Sequence, residues 1–222
     1  QHLLGLDEHG QDLLLKLIYG ARLSLWVTFT VVAISLCLGL ILGVLAGFFG
    51  SYVETLIMGA ADIVLSFPKF LLALTLLAMM GSTVGHLIFA LSFSTWAGFA
   101  RLVRGEVKHL KEKEFVLSAE SYGASFFLKL RKHIVPNLLG LLAVHSMFQA
   151  VAVLIAESGL NFLGLGSSLE VSSWGGLLSS GRDYLLEAPH LSLFPSLFLF
   201  LFLLSLNFLG ESLRDYFDPH RQ

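Results

Sequence analysis

Apolar residues in this chain gather into long blocks, and polar residues are confined to the gaps between them. Five blocks stand out, at about 24–49, 53–80, 84–103, 138–160 and 191–209. Each is near the roughly 20 residues that a helix needs to cross a hydrocarbon core ~30 Å thick. None alternates apolar and polar positions in the segments, about 10 residues long, of a membrane-spanning β-barrel. The pattern predicts an all-α integral membrane protein, a polytopic helical bundle with five visible spans.

The gap at 104–137 has a different character. Between Arg101 and His133 stand eight of the fourteen Lys and Arg residues, against four acids (Glu106, Glu112, Glu114, Glu120), a net charge of +4. The other six bases face twelve acids, a net −6. Basic loops stay on the cytoplasmic side of a membrane. Segment 104–137 is therefore assigned there, with the tail 213–222 that carries Arg214 and Arg221. Residues 1–23 and a loop at about 161–190 then lie outside, holding Lys16, Arg22 and Arg182. An odd number of spans puts the two ends on opposite faces. The sequence opens with neither a signal peptide nor an initiator Met, so a sixth helix is expected upstream of the first block.

Composition agrees with this reading. Of 222 residues, 55% are hydrophobic and 14% charged, with mean hydropathy +0.79, where a soluble domain carries about 25% charged residues. The single cysteine, Cys37, lies in an apolar block and allows no intrachain disulfide. No nucleotide-binding G-x-x-x-x-G-K-[ST] loop, H-E-x-x-H or G-x-S-x-G motif occurs. The eight His show no metal-ligand spacing, so no catalytic or metal residue is assigned. The basic segment lacks the interleaved aromatics of a nucleic-acid platform, and no nucleic-acid partner is expected; membrane lipid is.

Inside the membrane a few positions break the apolar rule. Gly39, Gly43 and Gly47 form a stripe that lets another helix approach closely, either one of this chain or one of a partner subunit. Pro68 in "DIVLSFPKF" should kink or break the second span. Asp62 and Lys69 are costly in lipid and should face protein or a water-filled cavity. In the fourth span, His145 and Gln149 lie about 40° apart on the helix and Glu157 about 80° further round. Asp62, His145, Gln149 and Glu157 are thus candidates to line a pathway; the alternative is hydrogen bonding to neighbouring helices. The outer stretch from Asn161 to His190 reads as a loop with short helical turns.

In the cytoplasmic segment, "KEKEFVLSAESY" is helix-forming up to Gly123, which suits a helix C-cap. Ser125 can cap a second helix, "FFLKLRKHIV", which Pro136 should stop. Phe115, Ala119 and Tyr122 form one apolar side of the first helix; Phe127, Leu130 and Ile134 do so in the second. Two short helices with apolar flanks and basic rims fit a groove in another protein, or an anionic inner leaflet.

The segment "EFVLSAESYGASFFLKLRKHIVPN" resembles the cytoplasmic EAA loop of ATP-binding-cassette importer permeases. Leu117-Ser118-Ala119 occupies the Glu-Ala-Ala slot, Gly123 follows at the motif's spacing, and His133 to Pro136 take the place of Ile-x-Leu-Pro. His133 and the Pro-Asn pair are similar to the dipeptide/oligopeptide/nickel branch. So are "HLLGLDEHGQDLLLKLIYGARLSL", "GFARLVRGEV", "ESGLNFLGLG", "SWGGLL" and "NFLGESLRDYFDP", so the resemblance covers nearly the whole chain. Leu117 departs from the motif's Glu.

The resemblance implies a cytoplasmic coupling helix around Gly123, with Glu114, Ala119, Gly123, Ala124, Ser125, Leu128, His133 and Pro136 as the ATPase-coupling residues. It implies a second homologous permease subunit, two ABC ATPase subunits and an extracytoplasmic solute-binding protein. No cofactor would sit in this chain; ATP and Mg would be on the ATPases. The cargo would be peptides, nickel or nickel chelates, carried across a bacterial or archaeal cytoplasmic (inner) membrane. A passive channel or secondary carrier, or an intramembrane enzyme using His145 or Glu157, are the competing readings of the residues alone.

Overall fold

Asp12 starts the first helix: its carboxylate accepts from the N–H groups of Leu14 (2.9 Å) and Leu15 (3.4 Å). Helix α1 (Leu13–Phe49) therefore begins well before the apolar block that predicted it. A computed structural model describes residues 3–166 and 173–217. The predicted outer loop falls partly, and the tail with Arg221 partly, outside the described residues.

Gly50 alone, with φ +61°, separates α1 from α2 (Ser51–Leu65). The second block is then interrupted. Ser66 ends α2, Pro68 precedes α3 (Lys69–Met80), and the two helix axes diverge by 84°. Proline can donate no hydrogen bond to the preceding turn and its ring clashes with it. Thr83 caps α4 (Val84–Lys111), accepting from the His86 N–H at 3.2 Å. The short α5 (Glu114–Ser121) and α6 (Phe126–Lys129) follow. A π turn over Leu130–Ile134 then leads directly into α7 (Val135–Phe162). Helix α8 (Trp174–Arg182) lies beyond the outer gap, and α9 (His190–Phe217) closes the bundle.

Four helical stretches are long and apolar enough to cross a membrane: α1, α4, Phe126–Phe162 and α9; the bent α2–α3 pair makes a fifth if it is counted as one broken span. Four of the five blocks thus fall on crossing helices and the other on the bent pair. Among the described residues no strand occurs, only an isolated bridge between Leu6 and Asp12.

The glycine stripe of α1 packs within the chain, against α4. A Cβ at Gly43 would lie 2.6 Å from Val103 Cβ and 2.7 Å from the Ala100 carbonyl; one at Gly47 would lie 2.8 Å from Val107 Cβ. Gly39 faces Phe99 in the same way. Every fourth residue of α4 is thus seated on a missing side chain of α1. Phe99, Val103 and Val107 are fully buried, and the two helices lie closer than larger residues would allow.

One prediction is overturned. Pro136 does not stop the helix that Ser125 begins. The Val135 N–H donates to the Leu130 carbonyl, five residues back, and Pro136 follows inside α7. The wider turn lets the chain pass a residue that has no N–H to give. It also divides the apolar stripe: Ile134 is buried, while Phe127 stays 77% exposed.

Candidate functional site

The turn between α5 and α6 is built by backbone bonds. The Gly123 N–H donates to the Glu120 carbonyl (2.9 Å) and the Ala124 N–H to the Ala119 carbonyl (3.0 Å), with Gly123 at φ +78°. These two bonds make a Schellman cap, whose left-handed residue favours glycine. Ser125 occupies the next N-cap position, without a side-chain cap bond. Glu120 reaches across the turn to Lys129 Nζ at 3.3 Å.

The turn is anchored to the membrane helices by aromatic packing. Phe126 stands edge-on to Phe48 (ring centroids 4.5 Å apart) and lies against Phe49 (5.3 Å). Lys129 and Lys111 both place their ammonium groups over the Phe48 ring, 5.2 and 4.9 Å from its centroid. Lys111 also donates to the Phe48 carbonyl (2.7 Å), satisfying an end carbonyl of α1. The ring of His133 rests 5.9 Å from that of Phe115.

Of the residues marked as coupling candidates, Glu114, Gly123, Ser125, Leu128 and Pro136 are exposed, and Ala119, Ala124 and His133 half-buried. Tyr122, which borders the turn, is 91% exposed, and Phe127 faces outward beside it. The turn thus presents two aromatic side chains on a base fixed by Val116, Lys129 and Ile134, all buried.

The pathway candidates separate into three places. Asp62 is exposed on α2 and pairs with Arg101 of α4. One level nearer the cytoplasm, Glu54 accepts from Arg104 Nε (2.7 Å) and Lys108 Nζ (2.6 Å). Glu54, Asp62, Arg101 and Arg104, with Thr55, Met58 and Gly59, line an open cavity of about 550 Å³. His145 and Gln149 are half-buried, with Gln149 Nε2 3.3 Å from His145 Nε2. The His145 ring is edge-on to Phe99 at 4.9 Å.

Glu157 stands apart from these and is wholly buried. Its carboxylate accepts from Ser24 (3.1 Å), Ser158 (3.2 Å) and Asn161 Nδ2 (2.8 Å). Ser24 in turn accepts from the Trp174 N–H (3.4 Å), and the Trp174 ring N–H donates to the Leu17 carbonyl (3.1 Å). This knot ties α1, α7 and α8 together. Its geometry fits the alternative of helix-to-helix hydrogen bonding, and Glu157 lines no open space.

In the segment before α1, sequence reasoning gave Asp7 no role. There Asp7 accepts from the N–H groups of His9 (2.9 Å) and Gln11 (2.7 Å) and pairs with Lys16. Burial alone would raise the Asp7 carboxyl. The bonds from Lys16, Gln11 and His9 outweigh it and hold the group below its usual range. Asp7, Glu8 and His9 bring ligand atoms within 4.8 Å of one another, but Asp7 is already committed to these partners. The Asp-x-x-x-Gln spacing around Gly10 was the available signal.

Residues 39–222 match the family described as binding-protein-dependent transport system inner membrane component. The oligopeptide transport system permease protein OppC of Haemophilus influenzae is 39% identical over 98% of this chain and 70% of its own length. The glutathione transport system permease protein GsiD of Pectobacterium atrosepticum is 36% identical over 98% and 72%. The dipeptide transport system permease protein DppC of Bacillus subtilis is 36% identical over 98% and 68%. Among solved structures, the inward-facing MetNI methionine ABC transporter superposes with a TM-score of 0.72 at 15% identity. That match covers 91% of this chain and 96% of the other.

Proposed function

Since the chain belongs to the binding-protein-dependent transport system inner membrane component family, we propose that it forms half of a translocation pathway for peptides. It is a multi-pass permease subunit of an ATP-driven importer. The peptide cargo rests on relatives whose names specify oligopeptides, dipeptides and glutathione; nothing found here favours nickel.

The observation that carries the mechanism is the Gly123 turn, with Tyr122 and Phe127 exposed on a base clamped to α1. A second permease would complete the pathway, and an external solute-binding protein would deliver cargo. Each of two cytoplasmic ATPases, holding ATP and Mg, would receive one such turn in a surface groove. Closure of the ATPases would displace the turn as a rigid element, because Phe126 and Lys129 fix it to Phe48. The displacement would reach α1 and α4 together, exposing the pathway alternately to the two sides. In this reading the chain performs no chemistry; it converts a difference in docking free energy into helix motion.

Cross-linking tests the reading. A photoreactive group at Ser125 should capture an ATPase subunit, and Gly123→Glu should abolish ATP-dependent uptake while the chain still reaches the membrane. Intact uptake by that variant overturns the coupling role.

A further inference from the structure

Lys69 opens α3 directly after the 84° break, and its Nζ lies against Gly98 of α4. Gly98 is fourteen residues into α4 from Val84, about 21 Å along the axis at ~1.5 Å per residue. Measured from Val84, Lys69 therefore sits inside a core ~30 Å thick, about two thirds of the way across. It is exposed on the chain. The neighbouring cations on the same face of α4 are matched: Arg101 by Asp62, and Arg104 and Lys108 by Glu54. Among the described residues no carboxylate lies within ion-pair distance of Lys69.

An ammonium group at this depth is strongly unfavourable in lipid and persists where it faces water or a counter-ion. This side of the chain offers open polar space but no counter-ion among the described residues. The polar cavity bounded by Asp62 and Arg101 opens about one helical turn along α4 from Gly98. His145, whose ring stands edge-on to Phe99 beside Gly98, and Gln149 offer hydrogen-bonding groups nearby. Four cations here (Lys69, Arg101, Arg104, Lys108) stand against two acids (Glu54, Asp62), so the face carries a surplus of positive charge. An anionic group from outside the chain is what this arrangement lacks.

Resting on the reading of the cargo as peptide, we infer that Lys69 binds a carboxylate of the peptide as it crosses the membrane. A free peptide brings at least one carboxylate, at its C-terminus. Lys69 is a compact point charge with three donors and accepts such a group without fixed geometry, as transit requires. Arg101 and Arg104, bound to acids that can be exchanged, offer the next cationic stations towards the cytoplasm.

The test uses the complete transporter in proteoliposomes with its binding protein and tri-alanine, di-alanine or glutathione as the probe. Lys69→Met should lower uptake at least tenfold, while the complex still assembles and still hydrolyses ATP in response to loaded binding protein. Lys69→Arg should restore most of the uptake. So should Lys69→Cys after aminoethylation in a Cys37→Ser background, whereas methylation of the same thiol should not. Uptake by Lys69→Met equal to the unaltered protein overturns the assignment alone. Failure of Lys69→Met to hold its partner permease also overturns it, since a subunit carboxylate would then be the missing counter-ion. If the unaltered transporter takes up none of tri-alanine, di-alanine and glutathione, the peptide reading fails, and the assignment with it.

Discussion

Phe126, just after the cytoplasmic turn, sets its ring edge-on to Phe48 near the end of α1, with centroids 4.5 Å apart. One aromatic pair thus connects the segment proposed to meet the ATPase with the longest helix in the bundle. Such a pair contributes about 0.5–1.5 kcal/mol beyond its buried area, enough to bias how the turn sits without deciding whether the chain folds. Phe126→Ala should therefore leave the assembled complex hydrolysing ATP while transporting less cargo per ATP. The measurement is the ratio of uptake to phosphate release; an unchanged ratio would rule out Phe126 as the connection.

Gly43 should tolerate no side chain. A Cβ there would meet both Val103 and the Ala100 carbonyl, and overpacking of this kind costs about 1–3 kcal/mol. Gly43→Ala should lower the thermal unfolding midpoint in detergent. Adding Val103→Ala should recover only part of the loss, because the Ala100 backbone remains in the way.

At Gly123 the constraint is conformational. Nothing lies within 4 Å of a Cβ added there, yet φ is +78°. Gly123→Ala should cost on the order of 1 kcal/mol through backbone strain, loosening the turn without a clash. Reduced capture of an ATPase from Ser125 is the expected readout, with bundle stability unchanged.

Glu157 is held by three donors in a dry site. Removing its carboxyl takes a buried acceptor away from Ser24, Ser158 and Asn161, at a cost of about 1–3 kcal/mol. Glu157→Ala should destabilise the chain and make the Trp174 region more accessible to protease. Glu157→Gln, which keeps an acceptor oxygen, should do less of both.

Asp7 gives a pH dependence on the outer side. Its folded-state pKa lies below the ordinary Asp value of 3.8, because the bonds from Lys16, Gln11 and His9 outweigh burial. The stability it contributes is present in full above that value and is lost as pH falls through the lowered one. Acid unfolding between about pH 4 and the lowered value should therefore be less steep in Asp7→Asn. Identical acid profiles for the two proteins would count against the Lys16 pair.

The crossing elements were legible in the sequence because an apolar block has one explanation in a membrane, Pro68 because its ring restricts its own backbone, and Gly123 because only glycine reaches positive φ without strain. Helix extents were less legible. A hydropathy pattern marks only the lipid-facing part, whereas α1 starts at the Asp12 cap and α4 runs on through charged turns to Lys111. The π turn before Pro136 depends on which backbone bonds the helix can rearrange, which no residue pattern states. Glu157 is the clearest case. Its position on α7 was readable, but its partner Ser24 lies 133 positions away, so the sequence could offer it to a pathway or to a neighbour equally well. Only packing decides between these.

The glycine stripe has a further effect. With α1 and α4 interlocked over three successive seats and pinned again by Lys111 on Phe48, the two behave as a single stiff plank. Next to it, the elbow at Ser66 to Pro68 leaves α2 and α3 with no helical bond bridging them rigidly. A shove from the cytoplasm would tilt the plank whole and flex the elbow, carrying Lys69 with the moving forearm.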